Sequence, residues 1–206
     1  MAERNALTLA RGMRPVLWAS LLVLGLGGCT TLGLSRSPTG SGDMANQYID
    51  RGFRGDLLTS RMKPVSLRLA NSWRPASTGQ LHTSADLEAY NPDERMFLVV
   101  LGEDRASVAP GNLEDQATVY LQILKGGFSQ VLATQTRTSV ERVNSFPAVQ
   151  YEVRGEVNQN AVAYLHTTVE LGDSFYQVVV WTPDNLRIPN SEAMRAIAQE
   201  FRHTQP

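Results

Sequence analysis

Past residue 63 the chain reads as short alternations of apolar and polar side chains. Val65, Leu67 and Leu69 alternate with Ser66, Arg68 and Ala70, a period of two that predicts a strand. Trp73 and Pro75 follow in a turn-rich stretch, and a short strand is expected over residues 86–90, closed by Asn91-Pro92. Residues 96–101 (Met-Phe-Leu-Val-Val-Leu) are continuously apolar, as in a strand buried on both faces. Residues 131–143 alternate loosely, a turn is expected at 144–147, and Val149, Tyr151 and Val153 alternate again. Residues 161–171 and 174–182 form two long strands around Gly172-Asp173, a pair of residues suited to a hairpin.

Two segments carry helical spacing instead. Asn112 is a good N-cap, Glu114 and Asp115 stand in the first turn, and Leu113, Ala117, Tyr120, Leu121 and Leu124 share one face. Lys125 and Gly126-Gly127 mark its end. A last helix is expected from Asn190-Ser191 as caps, with Met194, Ile197, Ala198 and Phe201 on one face. Residues 44–61 read either as a short docking helix, with Tyr48, Phe53, Leu57 and Leu58 on one side, or as further tether, because Gly52 and Gly55 weaken the helix. Strands, a helix, more antiparallel strands and a final helix give an α+β chain: one antiparallel β-sheet with helices on its faces.

The first 43 residues have a different texture. Residues 1–15 carry Arg4, Arg11 and Arg14 against Glu3, and residues 16–26 are an apolar run. This run is too short for a mature transmembrane helix, which needs about 20 residues, and has the layout of a secretory signal. Leu26-Gly27-Gly28-Cys29 resembles a bacterial lipobox, which implies cleavage after Gly28, acylation of the Cys29 thiol (palmitate is the usual chain type) and acylation of the new amino terminus. Two or three acyl chains hold a protein durably in a bilayer. Cys29 is the single cysteine, so neither an internal disulfide nor a Cys-based zinc site is available. Thr30, rather than Asp, after Cys29 favours the outer membrane, facing the periplasm, in a Gram-negative host. Residues 30–43, rich in Gly, Ser, Thr and Pro, read as a flexible tether reaching on the order of 20 Å. The expected organisation is therefore a signal peptide over 1–28, a lipidated Cys29 and tether over 29–62, and one domain over 63–206.

The formal charge of the full chain is −1, and losing three arginines and one glutamate with residues 1–28 leaves −3. Such a chain lacks the basic excess of a nucleic-acid binder and any polybasic stretch that would add electrostatic membrane attachment.

The order of elements over 63–206 resembles the PsbP-like fold of photosystem accessory proteins, DcrB-type bacterial lipoproteins and Ran-binding nuclear-import factors. The resemblance runs through Ser72-Trp73-Arg74-Pro75, Ala85-Asp86-Leu87-Glu88-Ala89-Tyr90-Asn91, the buried strand at 96–101, and the helix after it. It continues through Phe146-Pro147-Ala148-Val149-Gln150-Tyr151-Glu152-Val153, the hairpin, and a final helix ending in Glu200-Phe201-Arg202. It implies an α/β/α sandwich with a binding, scaffolding or assembly role, commonly without catalysis.

Chemistry is sparse. His82, His166 and His203 are widely separated, and no His-Glu-x-x-His, Gly-x-Ser-x-Gly, Ser-x-x-Lys or Gly-rich phosphate loop occurs. His166 shares a strand face with Tyr164, Thr168 and Glu170. That face reads either as a solvated, hydrogen-bonded sheet surface or as a ligand or acid–base site. Asp86 and Glu88, with Glu103 and Asp104, are ordinary surface acids or weak cation ligands. Trp181, on one strand face with Phe175 and Val179, reads as core. Trp73 joins His166 and Tyr164 as a possible ligand or partner contact, since tryptophan is favoured at binding hot spots. No catalytic residue, metal site or cofactor is expected. The leading expectation is a lipid-anchored, non-enzymatic module binding an envelope protein; the alternative is a periplasmic small-ligand carrier or weak hydrolase using a pocket near His166.

Overall fold

The computed structural model describes residues 46–51, 55–70 and 72–204. The expected signal peptide, Cys29 and the tether at 30–43 lie outside the described residues. Among the described residues no helix is long and apolar enough to cross a membrane.

The chain builds two antiparallel sheets. The smaller joins β1 (Gln47–Asp50), β2 (Asp56–Ser60), β3 (Val65–Leu69) and β12 (Phe201–His203), in that order. The larger begins at its edge with β4 (Arg74–Pro75), then β5 (Leu87–Asn91) and β6 (Met96–Asp104). It continues through β11 (Ser174–Pro183), β10 (Asn160–Leu171), β9 (Phe146–Val157) and β7 (Gln130–Arg137), with β8 (Arg142–Val143) also paired to β9. The β10–β11 hairpin turns at Gly172, whose φ of +56° suits glycine, and its register runs from Leu171 opposite Ser174 to Val162 opposite Pro183.

Helix α1 (Leu113–Gly126) is the crossover from β6 to β7. Those strands lie four positions apart in the sheet, about 19 Å at 4.8 Å per strand. The 14-residue helix spans about 21 Å, enough to lie across β11, β10 and β9. Its start is a full capping box: the Asn112 side chain accepts from the Asp115 N–H, and Asp115 accepts from the Asn112 N–H. Gln116, Ala117, Tyr120, Leu121 and Leu124 face the sheet.

The opposite face of the large sheet is covered twice. Helix α2 (Arg187–Ala198) packs on β11 and β10, and the small sheet completes the layer. The main core lies here: Leu58, Leu67 and Leu69 of the small sheet, Leu98, Val178 and Val180 of the large one, Met194 and Ile197 of α2, and Phe201. The fold is thus α+β, with a second sheet that the strand pattern alone did not separate from the first.

Three expectations change. Residues 44–61 contain a β-hairpin rather than a helix or tether, so the ordered chain begins before residue 63. Pairing with β3 outweighs a weak helical pattern, and Gly55, at φ +103°, makes the approach: a Cβ there would lie 2.5 Å from the Leu69 carbonyl oxygen. The last helix starts at Arg187, not at an Asn190 cap. Pro189 sits in its first turn, where a missing N–H costs little, and Asn190 instead donates to Thr182 Oγ1 and the Glu94 carbonyl. The helix also ends at Ala198, because Phe201–His203 leaves it to pair with β3.

Candidate functional site

His166 sits at the middle of β10, opposite Val179 of β11 and Tyr151 of β9. Strand parity aims it at α1, with Tyr164 and Thr168. That face is not solvated: His166 and Thr168 are fully buried and Tyr164 is 3% exposed. The crossover helix has roofed it. Glu170, the last member of the face, forms an ion pair with Arg105, whose guanidinium also lies 4.4 Å over the Phe175 ring.

Between α1 and the sheet is a half-enclosed cavity of about 50 Å³. Its floor is β6, β11 and β10, with Val99, Leu101, Val179, Trp181, Tyr164 and His166. Tyr120, Ile123 and Leu124 of α1 form the roof. One wall is the loop carrying Leu81 and His82. Glu88 builds that wall. Its buried carboxylate accepts from the N–H groups of Gly79, Leu81 and His82, at 2.5, 2.6 and 3.2 Å. Gln47 ties the same loop to β1 by donating to the Ala76 carbonyl at 2.8 Å. Glu88 is therefore spent on backbone donors rather than offered to a cation. Asp86 accepts from the Gly102 N–H at 2.7 Å, and burial raises its pKa. Among the described residues no group of three acids or histidines could hold a metal ion.

Four aromatic rings cross this face in a row. Phe97 and Trp181 have centroids 5.5 Å apart, Trp181 and Tyr164 6.0 Å, and Tyr164 and Phe128 5.5 Å, with interplanar angles of 22–28°. Phe128 lies on Gly155 of β9, where a Cβ would collide with its ring.

The polar atoms at the cavity are poorly matched. The His166 Nε2 lies 3.2 Å from Gln177 Oε1, a pair whose donor and acceptor roles the ring tautomer sets. The His166 Nδ1 has no partner, nor has the Trp181 Nε1, and both are buried. The Tyr120 hydroxyl stands beside Glu103 without completing a well-formed hydrogen bond; burial first, and then Glu103, raise its pKa. Among the described residues six buried side-chain atoms make no well-formed hydrogen bond, and three of them belong to residues lining this one cavity. Such atoms ordinarily find a partner, in protein or in water, because leaving one bare costs about 1–3 kcal/mol.

Burial holds His166 neutral, with its pKa pushed down to about 4, and lowers that of His82 in the cavity wall. Tyr164 is raised by burial as well.

The structure thus brings His166 and Tyr164 together at one cavity and separates them from Trp73. Trp73 is 7% exposed and belongs to the core on the other face of the sheet, so it presents little surface to a partner. Sequence reading passed over Gln177 and the polar edge of Trp181, and took Tyr120 only as part of a helix face and Glu103 only as a surface acid or weak cation ligand. Gln177 carried a signal: a polar side chain among Phe175, Val179 and Trp181 on one strand face, placed beside His166 by a two-residue hairpin.

No protein-family model matches the chain, and no curated protein matches it in sequence. Solved structures do. The solution structure of cyanobacterial PsbP from Synechocystis sp. PCC 6803 superposes with a TM-score of 0.51 at 12% identity, covering 86% of this chain and 98% of that one. LpqN, involved in cell envelope biogenesis of Mycobacterium tuberculosis, gives a TM-score of 0.44 at 15% identity over 68% of this chain and 83% of that one. The cyanobacterial match establishes the fold: this chain is PsbP-like.

Proposed function

We propose that this chain is a lipid-anchored protein of a bacterial envelope that works by binding rather than catalysis, and that its binding element is the cavity beneath α1. The observation that carries the reading is a half-enclosed, mainly apolar cavity beneath α1 whose lining includes the polar residues His166, Gln177, Tyr120 and Glu103. The anchor rests on Leu26-Gly27-Gly28-Cys29. A weak hydrolase is the poorer account of the same cavity. A histidine with a pKa of about 4 is a feeble base at neutral pH, and the described residues lining the cavity include no Ser, Thr, Cys or Lys.

Small molecules carried by the full chain purified from its host can be extracted and compared by mass spectrometry with those carried by Val179→Phe, which fills the cavity. A species lost from the folded variant supports the reading; identical extracts overturn it. Cys29→Ser should leave the domain folded and move it out of the membrane fraction, and membrane retention of that variant counts against the anchor.

A protein partner in the envelope is a second reading, favoured by Val119 and Ile123. They lie one turn apart on the outer side of α1, 44% and 40% exposed, with Ile123 at the cavity itself. Crosslinking in membranes tests it.

A further inference from the structure

We propose that the turn joining β2 to β3 is a membrane-contact tip: Met62 enters the headgroup region of the bilayer that holds the lipid anchor, with Tyr48 and Arg61 beside it. The proposal rests on the reading of Cys29 as that anchor and adds the orientation of the domain on the membrane.

β1 and β2 are antiparallel, and Gln47 lies opposite Ser60. The end at which the chain enters the domain is therefore the end at which β2 leaves for the turn. The Arg61 N–H donates to the Asn46 carbonyl at 2.8 Å and fastens the two together. Asn46 stands 17 residues after Cys29. A flexible segment of that length spans about 20–25 Å. So short a link keeps the turn beside Asn46 close to the bilayer.

The turn holds an apolar side chain in the open. The Ser60 hydroxyl accepts from the Met62 and Lys63 N–H groups, both at 3.1 Å, and the Val65 N–H donates to the Lys63 carbonyl at 2.8 Å. Met62 is 68% exposed, the most exposed large apolar side chain among the described residues. Tyr48, exposed on β1, carries the Arg61 guanidinium 5.5 Å over its ring. An apolar tip, a tyrosine and an arginine suit a bilayer surface. Methionine leaves water among the headgroups, tyrosine favours the interface, and arginine meets lipid phosphate with its stem on the ring. Asp104, the acid bonded to this turn, accepts from the Lys63 ammonium at 2.6 Å, so it does not face lipid phosphate alone. Such a tip binds weakly by itself. The anchor supplies the local concentration that makes a weak contact count.

The far end of the large sheet offers a matched control. Asp104 pairs with Ser174 at the start of β11, which runs ten residues, about 30 Å, to Pro183. Helix α2 begins just beyond, and Ile188 in its first turn is 66% exposed.

The full chain, purified with its lipid, is reconstituted into vesicles of phosphatidylethanolamine and phosphatidylglycerol bearing a spin label on the headgroup. Mass spectrometry reads the acyl groups on Cys29. A fluorophore is placed at Thr204→Cys or at Ile188→Cys, each the one free thiol once Cys29 is acylated. The Thr204 N–H donates to the Pro64 carbonyl at 2.9 Å, so a dye there reports on the turn with Met62 intact. The dye at 204 is expected to be quenched at least about threefold more than the dye at 188. Met62→Glu should remove about half or more of that quenching, and Met62→Leu should retain it. On a chain that carries the acyl mass, equal quenching at the two sites, as a tip turned to a protein partner would give, overturns the proposal and leaves the anchor standing. Quenching indifferent to Met62→Glu does the same. A chain without acyl mass on Cys29 overturns the anchor and the tip with it.

Discussion

The two faces of the large sheet are built from the same strands and finished in different ways. On the α2 side the buried polar groups are closed into pairs. Asn190 bonds Thr182 and Glu94, Thr182 bonds Arg95, and Gln150 bonds both Thr167 and Thr138; Arg202 Nε, in the small sheet, is the exception. On the α1 side His166, Thr168 and Trp181 each keep a buried atom without a hydrogen bond, the Tyr120 hydroxyl has only a poorly formed contact with Glu103, and a cavity lies beside them. One layer, made of a helix and a second sheet, fills its volume. The other is a lone helix laid diagonally across three strands, and it leaves a gap. The difference teaches that covering a sheet face and satisfying it are separate tasks. The unsatisfied face is where a ligand has something to gain.

The contrast can be broken by removing volume from each face in turn. Leu98→Ala, in the filled core, should cost about 3–4 kcal/mol, because a fully buried Leu leaves a new void. Leu124→Ala, which only widens an existing cavity, should cost visibly less in the same urea titration; equal losses would mean the α1 side is as well packed.

Acid should act through the α1 face. His166 has a folded pKa of about 4 against about 6.5 unfolded. Its contribution is fully present above pH 6.5 and is lost progressively as pH falls toward 4, where the unfolded chain binds the proton and the folded one resists it. Up to about 3 kcal/mol disappears across that window. His82, also lowered by burial, acts in the same direction. His166→Phe should flatten most of that slope in denaturation curves taken from pH 7 to pH 4.

Gly155→Ala should cost about 2 kcal/mol by forcing Phe128 off the sheet. The loss should be accompanied by altered near-UV dichroism, since Phe128 stacks on Tyr164. The smallest effect belongs to Asn112→Ala, about 1 kcal/mol from the lost cap of α1. A drop confined to hydrogen-exchange protection of α1, with β11 and α2 unchanged, would show the roof to be the less stable layer.

Much of the fold was legible in the chain. The strands at 65–69, 96–101 and 161–182 and the helix after Asn112 announce themselves through period and caps, because those signals arise from neighbours along the sequence. The β10–β11 register follows from a two-residue loop, which already places Gln177 diagonally beside His166. The β1–β2 hairpin and β12 were not legible. Both depend on β3, a partner that no local pattern names.

The candidate site divides the same way. His166 and Tyr164 stand in the sequence on one strand face with Thr168 and Glu170. Whether water or protein covered them was open, since strand parity assigns a face and not its environment. Trp73, an equally plausible contact by type, proved to be core.

What the chain alone determined is the succession of the central strands and the first helix, the lipobox-like segment on which the proposed address rests, and the pairing of β10 with β11. All of these are written in short-range spacing. Only the tertiary structure decided that β6 and β7 lie four strands apart. That distance sent α1 across the sheet, buried His166 and left a cavity under the helix. Burial is a property of what the rest of the chain brings to a residue, and no local pattern contains it.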